Sequence, residues 1–287
     1  MNVEDRCWRE QFFASANIPL PIVRYRDWGL LRYLFRGIEK NCPFFEKVFL
    51  VVSNESQVPN WVDRTTVQIV LHKDFIPEEF LPLFNSSSIE VFLPKILGLG
   101  EEFVYFNDDM FPVGRTCSED FFCNGKALNE ISRKISGFKH EGVWKSTVLS
   151  TLRLSEKAAG VKMDEGVACQ KHSVGCLLRS VCEEAYKRVE ADLHSSISKV
   201  REERNVNFYF YTNYQYLVGK GENRGCGLCY LTSSSDTQVL IDSIKDPKEK
   251  IVCINDTSTP RDFEEKKEVL KRAFEEVFPC RSKYEKL

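Results

Sequence analysis

"FVYFNDDMFPV", Phe103 to Val113, sets two adjacent carboxylates and an amide directly behind a short apolar run. The run is rich in aromatic and β-branched residues and reads as a buried strand. Open α/β sheets place their ligand crevice at the carboxyl ends of strands, where the connecting loops diverge. The stretch therefore delivers Asn107, Asp108 and Asp109 to such an edge. Paired carboxylates there suit a hard divalent cation such as Mg2+ or Mn2+, which takes oxygen ligands and bridges protein acids to phosphates. A plain turn is the alternative reading, because Asn and Asp are common turn residues.

Outward from this stretch, strands alternate with helices. "WGLLRYLFRGIEKNC" (28–42) carries Leu31, Leu34, Phe35 and Ile38 at helical spacing, and "KVFLVVS" follows as a strand. "VQIVLH" is a second strand and "SSSIEVFLPKILGL" a helix capped by serines. "KIVCINDTS" is a further strand whose end repeats the pattern with Asn255 and Asp256, so the two ends could share one crevice; turn and capping roles are again the alternative. "TPRDFEEKKEVLKRAFEEVFP" has Thr259 as N-cap, Pro260 at the first helical position and Pro279 as its stop. The order predicts an α/β fold in which the strands at 48–52, 67–71, 103–106 and 251–254 lie in one mostly parallel sheet flanked by helices. Residues 1–287 are expected to form a single catalytic domain. Its sheet core would use 20–115 and 251–287, with an irregular insertion of one or two short helices at 124–169 and a helical part at 170–221. In that part "VGCLLRSVCEEAYKRVEADL" reads as an amphipathic helix opening at Lys171, and "NFYFYTNYQYLVGK" as an aromatic-rich helix.

Composition narrows the function. An apolar fraction of 43% with 29% charged residues over 287 positions is enough for a sizeable core. A formal net charge of -2, with acids and bases mixed throughout, gives no polyanion-binding surface, so nucleic acid is not an expected partner. No apolar stretch approaches the roughly 18 residues of a membrane span, and "MNVEDRCWRE" lacks the apolar core of a signal peptide. The expected location is the cytoplasm or the inner face of the membrane. Oligomeric state is not legible. The eleven cysteines are scattered, odd in number and often inside apolar segments, which points to reduced, buried thiols. "CGLC", Cys226 to Cys229, has the spacing of half a zinc site but no close second pair, and is read as a Gly-rich turn.

Other groups can carry chemistry. His172, at the expected helix start, could face an anion; a solvent-facing polar residue is the plainer reading. His72, at a strand end, is a weaker candidate, and nothing recommends His140 or His194. "RYRDWGLLRY" holds Arg24, Arg26, Asp27 and Arg32, of which the guanidinium groups suit phosphate. "FNSSSIE" holds Asn85, Ser86 and Glu90 at a helix start, where free N–H groups and hydroxyls suit anions or sugars. Surface ion pairs and ordinary capping explain the same residues singly.

Taken together, "RYRDWGLLRYLFRGIEKNCPFFEKVFLVV", "PNWV" and "HKDFIPEEFLPLFNSSSIEVFLPKILGLGEEFVYFNDDMF" resemble the second block of the Stealth family of sugar-1-phosphate transferases. That family includes bacterial capsular polysaccharide phosphotransferases and the catalytic subunit of the lysosomal-enzyme N-acetylglucosamine-1-phosphotransferase. The third block resembles "KHSVGCLLRSVCEEAYKRVEADLHSSISKVREERNVNFYFYTNYQYLVGKG", and the fourth "CINDTS" with "FPCRSKYEK". The resemblance covers roughly 20–115, 170–221 and 251–286. It implies a Rossmann-like, glycosyltransferase-A-type core that transfers a sugar with its phosphate from a nucleotide sugar, for example UDP-N-acetylglucosamine, to a saccharide hydroxyl. A nucleoside monophosphate would leave. The resemblance further implies that Asp108, Asp109, His172 and Arg201 are catalytic and that Asn107 and Asn255 bind the donor, to which Arg24, Asp27, Arg32, Asn85 and Ser86 are assigned on their own chemistry. Asp109 and Asp256 would hold Mg2+ or Mn2+. Asp109, His172, Arg201 and Asn255 are expected in one cleft. The family's first block, an apolar strand ending in a Trp-Val-Asp-Gly type motif, is expected immediately ahead of "MNVEDRCWREQF"; aligned through Asp5 and Trp8, its Asp falls on Asn2, and the strand is not in the sequence. The alternatives are a glycosyltransferase using the same donor and an inactive donor-binding or scaffolding relative.

Overall fold

The computed structural model describes residues 3–133, 142–163, 167–170, 172–257 and 260–286. The chain gathers into two compact units. The first is made of Met1–Leu71, Asn107–Thr116 and Gly227–Leu287, and the second of His72–Phe106 and Cys117–Cys226. Each unit mixes helices with small sheets, so the α/β class is as expected, but the single, mostly parallel sheet is not. The four strands expected to share it fall in three separate ladders: Val48–Val52 with Val67–Leu71, Glu102–Tyr105 with Gly175–Leu178, and Ile251–Asn255 between Leu228–Thr232 and Met110–Pro112.

In the first unit, Ile251–Asn255 is buried along nearly its whole length because it has a neighbour on each side. It pairs parallel with Leu228–Thr232, to which the helix Thr237–Lys245 connects it, and antiparallel with Met110–Pro112. The helix Leu31–Asn41 buries Leu34, Phe35 and Ile38 of the expected stripe, with Leu31 half-buried, and lies against Met110–Pro112. Gly37 makes this approach possible: a Cβ there would sit 2.6 Å from the Pro112 carbonyl oxygen. The Asn41 amide donates to the same oxygen at 2.8 Å, and Thr116 returns a backbone bond of 2.8 Å to the Asn41 carbonyl. Arg36, buried, donates to Glu285, Glu275 and the Phe278 carbonyl, tying the C-terminal segment to this helix. The helix Pro260–Val277 completes the packing through Phe274, which stacks on Tyr33 at 5.5 Å and meets Phe111 at 4.6 Å. Thr259, the expected cap of that helix, lies outside the described residues.

The second unit is built around the helix Tyr209–Leu217, whose Tyr209, Phe210, Tyr211 and Tyr214 are at most 1% exposed, against the helix Val143–Ala159. The latter has 17 residues, so the 124–169 region is more regular than an insertion of short helices. The expected helix opening at Lys171 is also corrected. Gly175–Leu178 is a strand with every residue buried, and a helix begins only at Arg179. An apolar run without alternation has no period with which to distinguish strand from helix. Two buried amides hold the strand. Asn129 both donates to and accepts from the Cys176 backbone at 2.9 Å, and Gln215 accepts the Leu178 N–H at 2.6 Å. The helix expected to be capped by serines is a single turn and a half, Ser86–Glu90, with Asn85 as its cap instead, and Pro94 follows in a separate 3-10 turn.

Candidate active site

In the first unit the antiparallel register sets Met110 opposite Cys253, so the residues before Met110 and those after Cys253 arrive at one end of the sheet. The Ile254 N–H donates to the Asp109 carbonyl at 2.9 Å. Asp108, Asp109 and Asn255 are thereby brought to one edge. The route differs from the expected one: the Asp pair enters at the start of the Met110–Pro112 strand rather than leaving a parallel neighbour. A turn, with the Met110 N–H on the Asn107 carbonyl at 3.2 Å, presents the pair, so the turn reading and the site reading describe the same residues.

Asp108 keeps its side chain open to solvent while protein crowds it on the other sides. That crowding, then the charge of Asp109 and, further off, that of Asp27, push its pKa up to about 6. The Cys253 thiol, wholly buried, is pushed far up by burial and by Asp109, to which it is hydrogen bonded, so it stays protonated. Asn255 donates through Nδ2 to the Tyr230 hydroxyl at 2.7 Å.

Asp256 is engaged differently. Arg26 grips it at both oxygens, Nε to Oδ2 at 2.9 Å and Nη2 to Oδ1 at 2.7 Å, and Ser233 donates to Oδ1 at 3.2 Å. With the pair nearly out of solvent, Asp256 carries a neutralised charge and is poorly suited to the metal-ligand role expected of it. The same contact commits Arg26, which also lies 4.6 Å over the Phe263 ring. Asp27 accepts the Gly29 N–H at 2.7 Å, and Arg32 lies 5.3 Å over the Trp61 ring. Arg24 is exposed in the 3-10 turn Ile22–Tyr25.

The second unit holds His172, Arg201, Asn85 and Ser86. Arg201, exposed, donates to Ser86 Oγ at 2.9 Å. Asn85 is fully buried as the N-cap of Ser86–Glu90, and its amide donates to Ser88 Oγ and Asn205 Oδ1 at 3.0 and 2.9 Å. Its polar atoms are spent on its own surroundings, so it builds the loop that presents Ser86 rather than meeting a donor itself. His172 precedes the Gly175–Leu178 strand and opens no helix, which removes the helix-dipole argument for it. A different group gives it a setting. Glu90, 6% exposed, accepts from the Tyr105 hydroxyl at 3.2 Å and the Phe208 N–H at 3.1 Å. Burial raises its pKa, against the pull of the Phe208 N–H, Arg201, Tyr105 and His172. A buried carboxylate facing both an arginine and a histidine is a functional-site signature. The sequence reading placed Glu90 only in a helix-start cluster; its burial emerges from packing by Tyr105 and Phe208. Tyr230, just beyond the stretch read as a turn, had no sequence signal, since its contact with Asn255 arises only from the strand pairing.

These two groups define an α/β protein whose first unit collects acids and an amide at a strand edge and whose second sets a carboxylate, an arginine and an imidazole within electrostatic reach of one another. Residues 24–130 match Stealth protein CR2, conserved region 2, and residues 242–287 match Stealth protein CR4, conserved region 4. The capsular polysaccharide phosphotransferase WcwK of Streptococcus pneumoniae is 31% identical over 92% of this chain and 87% of its own length. The receptor polysaccharide phosphotransferase WefC of Streptococcus oralis is 28% identical over 95% of this chain and 91% of its own. The exopolysaccharide phosphotransferase cps2G of Lactiplantibacillus plantarum is 40% identical over 41% of this chain and 36% of its own. The chain belongs to the Stealth family.

Proposed function

We propose that this chain transfers a sugar-1-phosphate from a nucleotide-sugar donor to a hydroxyl of a saccharide acceptor, forming a phosphodiester in the synthesis of a cell-surface or capsular polysaccharide. The observation that carries the reading is the meeting of Asp108, Asp109 and Asn255 at one strand edge in a member of this family. The strand-helix-strand unit from Leu228 to Asn255, with its parallel pairing, supports a Rossmann-like, glycosyltransferase-A-type core for donor binding. No helix among the described residues is long and apolar enough to cross a membrane. We place the reaction in the cytoplasm or at the inner face of the membrane.

The donor set at the edge suits a hard cation. It offers carboxylate and amide oxygens, while Asp256 is held by Arg26. Asp109, with the Asn255 Oδ1, would hold Mg2+ or Mn2+, which when bound neutralises charge on the donor diphosphate. Phosphoryl transfer leaves the protein little covalent work, so the remaining roles are positioning and proton handling. Asp108, its pKa raised by burial and by the neighbouring Asp109 charge, takes the proton from the acceptor hydroxyl. In the second unit, Arg201, steadied by Ser86, is the candidate for charge on phosphate oxygens, and His172, in the field of Glu90, the candidate for moving a proton. Arg24, Asp27, Arg32 and Asn107 are assigned to the donor side. The experiment is to supply candidate nucleotide sugars with a saccharide acceptor and assay turnover with and without excess chelator. Loss of turnover in chelator, restored by Mg2+ or Mn2+, is expected; full turnover in chelator would remove the metal from the reading.

A further inference from the structure

Tyr230 stands out among the described residues. It lies on Leu228–Thr232 in register with Cys253 of the central strand, so Asn255, two residues on, is its diagonal neighbour on the same face. Its side chain is 46% exposed, yet its hydroxyl reaches across to take the Asn255 Nδ2–H at 2.7 Å. An amide can present either its N–H2 or its oxygen to a ligand, and the choice is made by whatever fixes the other end. Here the nitrogen end is bound to the Tyr230 hydroxyl, so the oxygen is the end left for a ligand.

We propose that Tyr230 is a positioning residue: by holding Asn255 Nδ2 it keeps Asn255 Oδ1 directed as a hard oxygen ligand for the divalent cation at the Asp109 edge. The inference rests on the metal-assisted reading given above and deepens it. Partners that orient a metal ligand are worth about ten- to a hundred-fold in metal affinity, although they never touch the ion. Tyr230→Phe keeps the ring and its packing and removes the hydroxyl that accepts the Asn255 Nδ2–H, after which the amide is no longer held in one orientation.

Titration of the whole chain with Mn2+ alone, followed by the loss of the free-ion electron paramagnetic resonance signal, reads this without any substrate. Tyr230→Phe is expected to weaken Mn2+ binding about ten-fold, and Asn255→Ala at least as much. At saturating Mn2+ the Tyr230→Phe turnover should return to near that of the unmodified protein, because a positioning defect is overcome by mass action whereas a catalytic one is not. The inference is overturned if Tyr230→Phe binds Mn2+ like the unmodified protein while Asn255→Ala is weakened. If Asn255→Ala also binds normally and Asp109→Asn does not, Asn255 is no ligand and Tyr230 positions nothing. If the unmodified protein takes up no Mn2+, the metal reading falls and this inference with it.

Discussion

At the scale of single residues, charge and burial decide what each carboxylate can do. Asp256 is neutralised by Arg26, Glu90 is buried within reach of the charges of Arg201 and His172, and Asp109 stands at the edge beside the buried Cys253 thiol. Asp109→Asn removes the charge but keeps the size, and is expected to lower turnover by about two to three powers of ten while leaving the far-UV circular dichroism unchanged. An undiminished rate would return the Asp pair to the role of a plain turn. His72 gives a stability test independent of catalysis. It is 8% exposed, and burial lowers its pKa from 6.5 to about 4. The unfolded chain therefore binds a proton that the folded chain refuses between pH 6.5 and about 4, so stability falls as pH falls through that window, by about 3 kcal/mol at its lower end. Glu90, whose pKa is raised in the folded state, works in the opposite sense at the acid end, since the folded chain takes up its proton first as pH falls. His72→Phe should flatten the dependence of the denaturant midpoint on pH between 6.5 and 5; an unaltered slope would assign the effect to other groups.

At the scale of elements, one close contact positions the edge. The Leu31–Asn41 helix bears on Pro112 through Gly37, and the strand it presses begins directly after Asp109. Gly37→Ala puts a Cβ against a backbone oxygen, which cannot move as a side chain does, and should cost about 1–3 kcal/mol in urea unfolding with a parallel loss of turnover. Unchanged stability would mean that helix and strand have room to part. Legibility followed the same physics. The Leu31–Asn41 helix and the Val48–Val52, Val67–Leu71 and Ile251–Asn255 strands were readable because periodicity or β-rich runs marked them. Gly175–Leu178 was not, since all four of its residues are buried. Strand partners were the larger loss: nothing local tells Glu102–Tyr105 to pair with Gly175–Leu178, or Ile251–Asn255 to take Met110–Pro112 as its antiparallel neighbour. Asn107, Asp108, Asp109, His172 and Asn255 were singled out from strand ends and motif resemblance, whereas Glu90 and Tyr230 acquire meaning only through contacts that bridge distant segments.

At the scale of the whole molecule, the chain enters each compact unit more than once. The first unit draws on three segments, and the strand central to its Asp109 edge comes from the last of them. A fragment ending at Thr116 lacks Ile251–Asn255, so Met110–Pro112 loses its ladder partner and Arg26 and Arg36 lose their buried acids. It should show no cooperative thermal transition, and a sharp one would mean that the N-terminal segments fold unaided. The central claim is that the bond broken lies between the two phosphates of the donor, so that the sugar leaves with one of them. Chromatographic analysis of the nucleotide released from a nucleotide sugar, in the presence of acceptor and Mg2+, tests it directly. Release of nucleoside monophosphate in step with phosphodiester formation is the predicted result, and release of nucleoside diphosphate, the mark of attack at the anomeric carbon, would contradict it.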